Sequence, residues 1–176
     1  SSLQSFLGGL SALIGGLLTG GGLFILGAAV LLELTTIEMS PAMKQLSEKI
    51  LSLMLDQPWW LAWALIAILP ACLEELLFRG WVLSAFCGEK PSKQRMAIAV
   101  FAQAICFAIF HLLPERMPQT FLLGIALGTI VLLTKSIYPA ILCHIANNSM
   151  PLLLLYLTGI QNKDALPESV TTDVTA

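Results

Sequence analysis

Long apolar runs with almost no charge in them constrain this chain more than any other feature. They cover residues 3–33, 58–87, 96–113 and 119–134, and a last one starts near Pro139. A helix needs about 20 such residues to cross a bilayer. In lipid, a spanning segment must satisfy its own backbone polar groups, so runs of this kind fold as helices. Composition agrees: 57% of the 176 residues are hydrophobic, 11% are charged, and the mean hydropathy is +0.84. Soluble domains carry about 25% charged residues. An ordinary water-soluble globule is therefore excluded, and so is a disordered chain, which needs low hydrophobicity. The fold class expected is all-α, a polytopic transmembrane helical bundle of about five spans plus an amphipathic connecting helix. A net charge of −2 offers no basic surface to nucleic acid.

The runs divide the chain into three parts. Residues 1–57 read as a glycine-rich transmembrane helix followed by an amphipathic linker. Gly16-x-x-x-Gly20 suits close helix approach, Ser40 and Pro41 suit a helix start, and Met43, Leu46, Ile50, Leu53 and Met54 recur at helical spacing. Residues 58–158 form the core. Pro58, Trp59, Trp60 and Trp63 read as an interfacial anchor, and Pro70 predicts a kink. A polar loop follows over 88–95, then a span over 96–113 ending near His111. Pro114 to Pro118 make a tight connection to a span over 119–134, and Lys135-Ser136 turns into the last span, which Pro151 should bend or interrupt. Residues 159–176 are polar without apolar periodicity and read as a disordered tail. Cys72, Cys87, Cys106 and Cys143 lie in or beside apolar runs, as small hydrophobes rather than a disulfide framework. Basic residues divide evenly between the two sides, so the positive-inside rule does not choose an orientation.

The ionisable residues inside these runs carry the chemical information. Each costs roughly 2.5–3.5 kcal/mol at a helix centre on insertion scales, and is a functional candidate for that reason. Glu75 and Arg79 lie four apart on one helix face, which also suits a purely structural buried ion pair. Glu74 sits about 100° around that helix and needs a different partner. His111 lies four residues after Phe107. His144 and Asn148 share a face, as a pair that bonds between helices would, while Asn147 points away. Three spans each carry one such cluster, and the chain has no other histidine. One carboxylate and two imidazoles can polarise a water, directly or through a zinc ion bound from separate helices. Asn148 can donate to a developing oxyanion. Ser84, Ser136 and Ser149 lack the setting of a nucleophile motif, and H-E-x-x-H is absent.

Taken in order, Glu74-Glu75-x-x-x-Arg79, Phe107-x-x-x-His111 and His144-x-x-x-Asn148 resemble the motifs of the CAAX prenyl protease type II and bacteriocin-processing family (CPBP, also called Abi). Pro70, Phe78-Arg79-Gly80, Gly124-x-x-x-Gly128 and Ile137-Tyr138-Pro139-Ala140 extend the resemblance over about residues 58–155. It implies an intramembrane endopeptidase with an all-helical bundle and a polar cavity open to one side of the bilayer. Carried over, Glu74 and His111 activate the attacking water, His144 and Asn148 hold the oxyanion, and Glu75 and Arg79 support them. No cofactor is implied by the glutamate mechanism; in a metal-dependent alternative, Glu74, His111 and His144 would be the zinc ligands. The partners implied are a peptide or protein substrate at the membrane, the lipid bilayer, and fusion to or association with a transporter permease. The location expected is multi-pass, in the bacterial inner membrane. A non-enzymatic immunity or scaffold protein of the same family is the competing reading, acting through helix surfaces such as Gly124 and Gly128. A proton or ion relay is a third, without the inverted repeats that would favour it.

Overall fold

The computed structural model describes residues 57–157 continuously, with isolated helical positions before them at 11, 14, 15, 18, 19, 21, 22, 41, 44, 45 and 49. All described regular structure is helical, as expected. Helix α1 spans Trp59–Cys87, α2 Lys93–Phe110, α3 Met117–Thr134 and α4 Tyr138–Leu157. Among the described residues α1, α2 and α3 are long and apolar enough to cross a membrane. The span over 3–33 with its Gly16-x-x-x-Gly20 spacing, the amphipathic linker over 35–57 and the tail over 159–176 lie outside the described residues, the isolated positions apart.

Helix α1 has 29 residues. At 1.5 Å per residue that is about 43 Å, against a hydrocarbon core of about 30 Å. It starts at Pro58, whose carbonyl accepts from the amides of Leu61 and Ala62. Trp59 and Trp60 are exposed there, as an interfacial anchor requires, but Trp63 donates its indole N–H to Ser149 Oγ at 2.7 Å and ties α1 to α4. Pro70 does not end the helix. The turn just ahead of it, Ala64–Ile68, widens to π geometry. Proline removes one amide donor and crowds the carbonyl one turn back, and a wider turn makes room for that ring.

The remaining boundaries differ from the sequence reading by a few residues. Helix α2 begins at Lys93, not near 96, because Ser92 Oγ accepts from the Arg95 amide and caps it. It ends at Phe110, with His111 as its C-cap and Leu112 left-handed at φ 55°. Pro114–Arg116 form one 3₁₀ turn, and Pro118 lies in the first turn of α3, where a missing N–H costs little. Lys135, at φ 54°, closes α3. Helix α4 runs through Pro151 without interruption. In lipid, breaking the helix would strand more backbone groups than the one hydrogen bond the proline removes.

Short connections make successive helices antiparallel. Phe78, Phe107, Leu123, Leu127, Ala140 and Cys143 form one buried cluster, and Leu83, Cys87, Ala99 and Val100 another. All four cysteines are free; Cys87 and Cys143 are buried, Cys72 is half-buried and Cys106 is exposed. Helices α2 and α3 approach most closely at the two glycines. A Cβ on Gly124 would lie 2.9 Å from the Cα of Ala104, and one on Gly128 would lie 2.7 Å from Gln103 Nε2. Both glycines are buried against α2, which corrects their reading as a surface for partner helices. Gly124→Ala should therefore cost roughly 1–3 kcal/mol of stability through overpacking, seen as a lower melting temperature in detergent. Gly80→Ala should be neutral or stabilising, since nothing lies within 4 Å of that position and alanine is the better helix former. Equal effects at the two positions would show that the close approach does not matter.

Candidate active site

The glutamates lie where α1 changes geometry. Leu69–Glu75 is α-helical and Leu76–Val82 is a second π segment. In a wider turn each residue advances by a smaller angle, so positions four apart come more nearly into line. Glu75 and Arg79 meet in this way: Arg79 Nη1 donates to Glu75 Oε1 at 2.7 Å, with both side chains fully buried. Desolvating two charges is costly unless they pair and further bonds satisfy them. One further bond comes from α4, where His144 Nδ1 lies 2.8 Å from the same Glu75 oxygen. The Arg79 guanidinium also stacks 4.4 Å above the ring of Phe107, a cation–π contact that adds to its stabilisation away from water.

The two histidines are held from behind. A carboxylate only accepts, so His144 Nδ1 carries the hydrogen toward Glu75. His111 Nδ1 lies 2.8 Å from the carbonyl of Phe107, one turn back on α2. A carbonyl also only accepts, so that nitrogen too carries the hydrogen. In their neutral forms both rings then present a bare Nε2. Both of these nitrogens face Glu74: Oε2 is 3.7 Å from His144 Nε2 and 3.9 Å from His111 Nε2. Those separations exceed hydrogen-bond length, and Oε2 is buried with no protein donor. Three lone-pair-bearing atoms from three helices thus converge on one place. Whatever satisfies them has to bring hydrogens or positive charge. The Glu74 and His111 side chains keep 20% and 25% of their surface exposed, while His144 keeps 2%. The place is therefore reached from the side of Glu74 and His111.

The structure brings five of the six sequence-predicted residues together: Glu74, Glu75, Arg79, His111 and His144. Asn148 lies one turn beyond His144 on α4 and is half-buried. Its contact among the described residues is with Asn147, whose Nδ2 donates to Asn148 Oδ1 at 3.3 Å. Asn147, read as pointing away, is the more buried of the two. Phe107 does more than mark a motif. Its carbonyl orients His111, and its fully buried ring touches both histidines edge-on, with centroids 4.7 Å and 5.8 Å away.

Gln103 was missed. It is fully buried, one turn before Phe107 on the face that leads to His111, and its Nε2 donates to the carbonyls of Val100 at 3.0 Å and Gly124 at 2.7 Å. It fastens α2 to α3 and so sets the height of His111. A lone amide within an apolar run is a polar signal, but a weaker one than the ionisable groups that singled out the glutamates and histidines.

The donor types also match those zinc takes, but the spacing fits less well. Tetrahedral bonds of about 2.0–2.1 Å set ligand atoms roughly 3.3–3.4 Å apart, closer than the 3.7 Å and 3.9 Å found here. No group of three or more His, Cys, Asp or Glu side chains among the described residues is arranged to hold a metal ion. A water oxygen about 2.8 Å from each atom bridges such separations comfortably.

Comparison with known proteins bears on the whole arrangement. No curated protein and no solved structure gave a match. A family model described as type II CAAX prenyl endopeptidase Rce1-like matches residues 56–150, a stretch that holds α1, α2, α3 and every residue of the cluster. Because that match takes in more than half of the 176 residues, the chain belongs to the Rce1-like family of type II CAAX prenyl endopeptidases.

Proposed function

We propose that the protein is an intramembrane endopeptidase that hydrolyses a peptide bond with a glutamate-activated water. The observation that carries this reading is the convergence of Glu74 Oε2 with the two imidazole Nε2 atoms. A water seated among them gives one hydrogen to Glu74 and the other to His111, and turns a lone pair toward the substrate carbonyl. On attack, the carbon–oxygen bond forms as the proton passes to Glu74. Glu74 passes that proton on to the bare Nε2 of His144, and the tetrahedral oxyanion takes hydrogen bonds from Asn148 Nδ2 and from the new Nε2–H of His144. Glu75, bonded to Nδ1 of His144, stabilises that imidazolium and fixes the ring, as a buried carboxylate does for the histidine of a hydrolytic triad. The carbon–nitrogen bond then breaks, and the leaving amine recovers the proton from His144 by way of Glu74. Arg79, donating to Glu75 Oε1, holds that carboxyl in place. The substrate is a peptide or protein segment at the membrane that reaches the cluster from the side of Glu74 and His111.

The test compares new N-terminal peptides in host membranes carrying wild type or Glu74→Gln at matched levels, with a wild-type arm treated with a chelator. Cleavage products should appear with wild type, persist with chelator and vanish with Glu74→Gln. Products that persist in Glu74→Gln would overturn the glutamate mechanism. Loss on chelation, restored by zinc, would replace it with metal chemistry. A phenotype of the intact chain that survives Glu74→Gln without any cleavage would favour the scaffold reading.

A further inference from the structure

At the end of the bundle opposite His111, α1 runs out and α2 begins. A groove of about 440 Å³ opens there along α1, lined by Trp81, Val82, Ala85 and Phe86. Ala85 leaves the gap between the larger side chains, and Trp81 is 79% exposed. The chain turns back at Gly88, which is left-handed at φ 71°. A guanidinium lies beside this end of α1, against the backbone of Phe86 and Gly88. Arg95 Nε donates to the carbonyl of Phe86 at 3.1 Å, and Arg95 Nη2 lies 3.1 Å from where a Gly88 Cβ would be. Lys90 on this connection and Lys93 at the start of α2 are exposed, with Glu89 the one acid beside them.

Within residues 57–157 the basic residues lie mostly at this end. Lys135 also lies at this end, because Val131 and Leu132 of α3 pack against Leu83, Cys87, Ala99 and Val100. Between residues 57 and 157 the opposite end carries Arg116, with Glu115 beside it in sequence. An apolar groove that rises to a cluster of cations matches the two halves of an acidic lipid. We propose that this end of the bundle binds an anionic phospholipid, one acyl chain along Trp81, Ala85 and Phe86 and the head group on Arg95, Lys90 and Lys93. The site is separate from the glutamate–histidine cluster and does not depend on its chemistry. Each interfacial cation contributes roughly fivefold to binding an acidic membrane surface. Three cations less one acid then give a preference on the order of 25-fold over a zwitterionic lipid.

The full chain is reconstituted in nanodiscs of phosphatidylcholine doped with phosphatidylglycerol, and the lipids retained on extraction are measured by mass spectrometry. Phosphatidylglycerol should be enriched about 25-fold over its input ratio. Lys90→Gln/Lys93→Gln should bring the ratio back close to input. Trp81→Ala should shorten retention while the cations remain. Lys135→Gln, at the same end but off the groove, should leave the enrichment unchanged. Retention of wild type at the input ratio would overturn the site. So would a Lys135→Gln effect equal to that of the lysine pair, which marks a diffuse field, or Trp81→Ala retention equal to wild type, which removes the groove.

Discussion

Glu74→Gln is expected to lower turnover by roughly 10²- to 10⁴-fold, the usual worth of a general base, while the melting temperature in detergent stays close to wild type. Glutamine keeps the size of the side chain but has no basic oxygen to receive the water proton. The fold should barely respond, because Glu74 Oε2 has no protein hydrogen bond to lose. His111→Gln should fall within the same range, and the double variant should fall little further, because residues that act as a unit are strongly non-additive. Single-turnover rates on a cleaved substrate segment, read beside melting curves, test this. A turnover loss accompanied by an equal stability loss would make Glu74 a structural residue. Fully additive losses would separate the two residues into independent roles.

The second large effect concerns stability. Glu75→Gln should cost about 3–5 kcal/mol, the range for breaking a buried ion pair from one side. Arg79 would keep its charge in a site where neither side chain reaches solvent, since a guanidinium does not give up its proton. Arg79→Met should cost less, because the remaining carboxyl can take a proton and become neutral. The pair of changes together should recover part of the loss, as buried ion pairs replaced by apolar residues often do. Activity separates support from catalysis here. All three variants remove or weaken the acceptor that holds His144 Nδ1, so turnover should stay low even in the double variant that regains stability. Recovery of turnover in the double variant would show that Glu75 holds α1 together without acting on His144.

The cluster was largely legible in sequence because charge in an apolar run is rare and has to be explained. The helical period then placed Glu75 with Arg79, and Phe107 with His111, on shared faces. The same reasoning passes over Gln103, an uncharged amide whose partner, the Gly124 carbonyl, is 21 residues away and carries no side-chain signal. It also ranks Asn148 above Asn147 by angle from His144, whereas the packing around α4 buries Asn147 more deeply. The Ser92 cap was readable in principle, but it lies inside a polar stretch that looks like loop throughout.

What the residue order determined by itself is whatever depends on neighbours within a turn or two. It set helices from apolar length, the pairing of Glu75 with Arg79 from a spacing of four, and one polar cluster on each of three helices. Only the tertiary structure decided how those clusters meet. His144 reaches Glu75 across 69 positions of chain, and it presents its other nitrogen to Glu74. That contact depends on the rotation of α4 against α1 and on the widened turn at Leu76–Val82. Neither is a local property. Helix rotation is set by side-chain packing summed over the bundle, and a π turn forms where tertiary contacts offset its weaker backbone geometry.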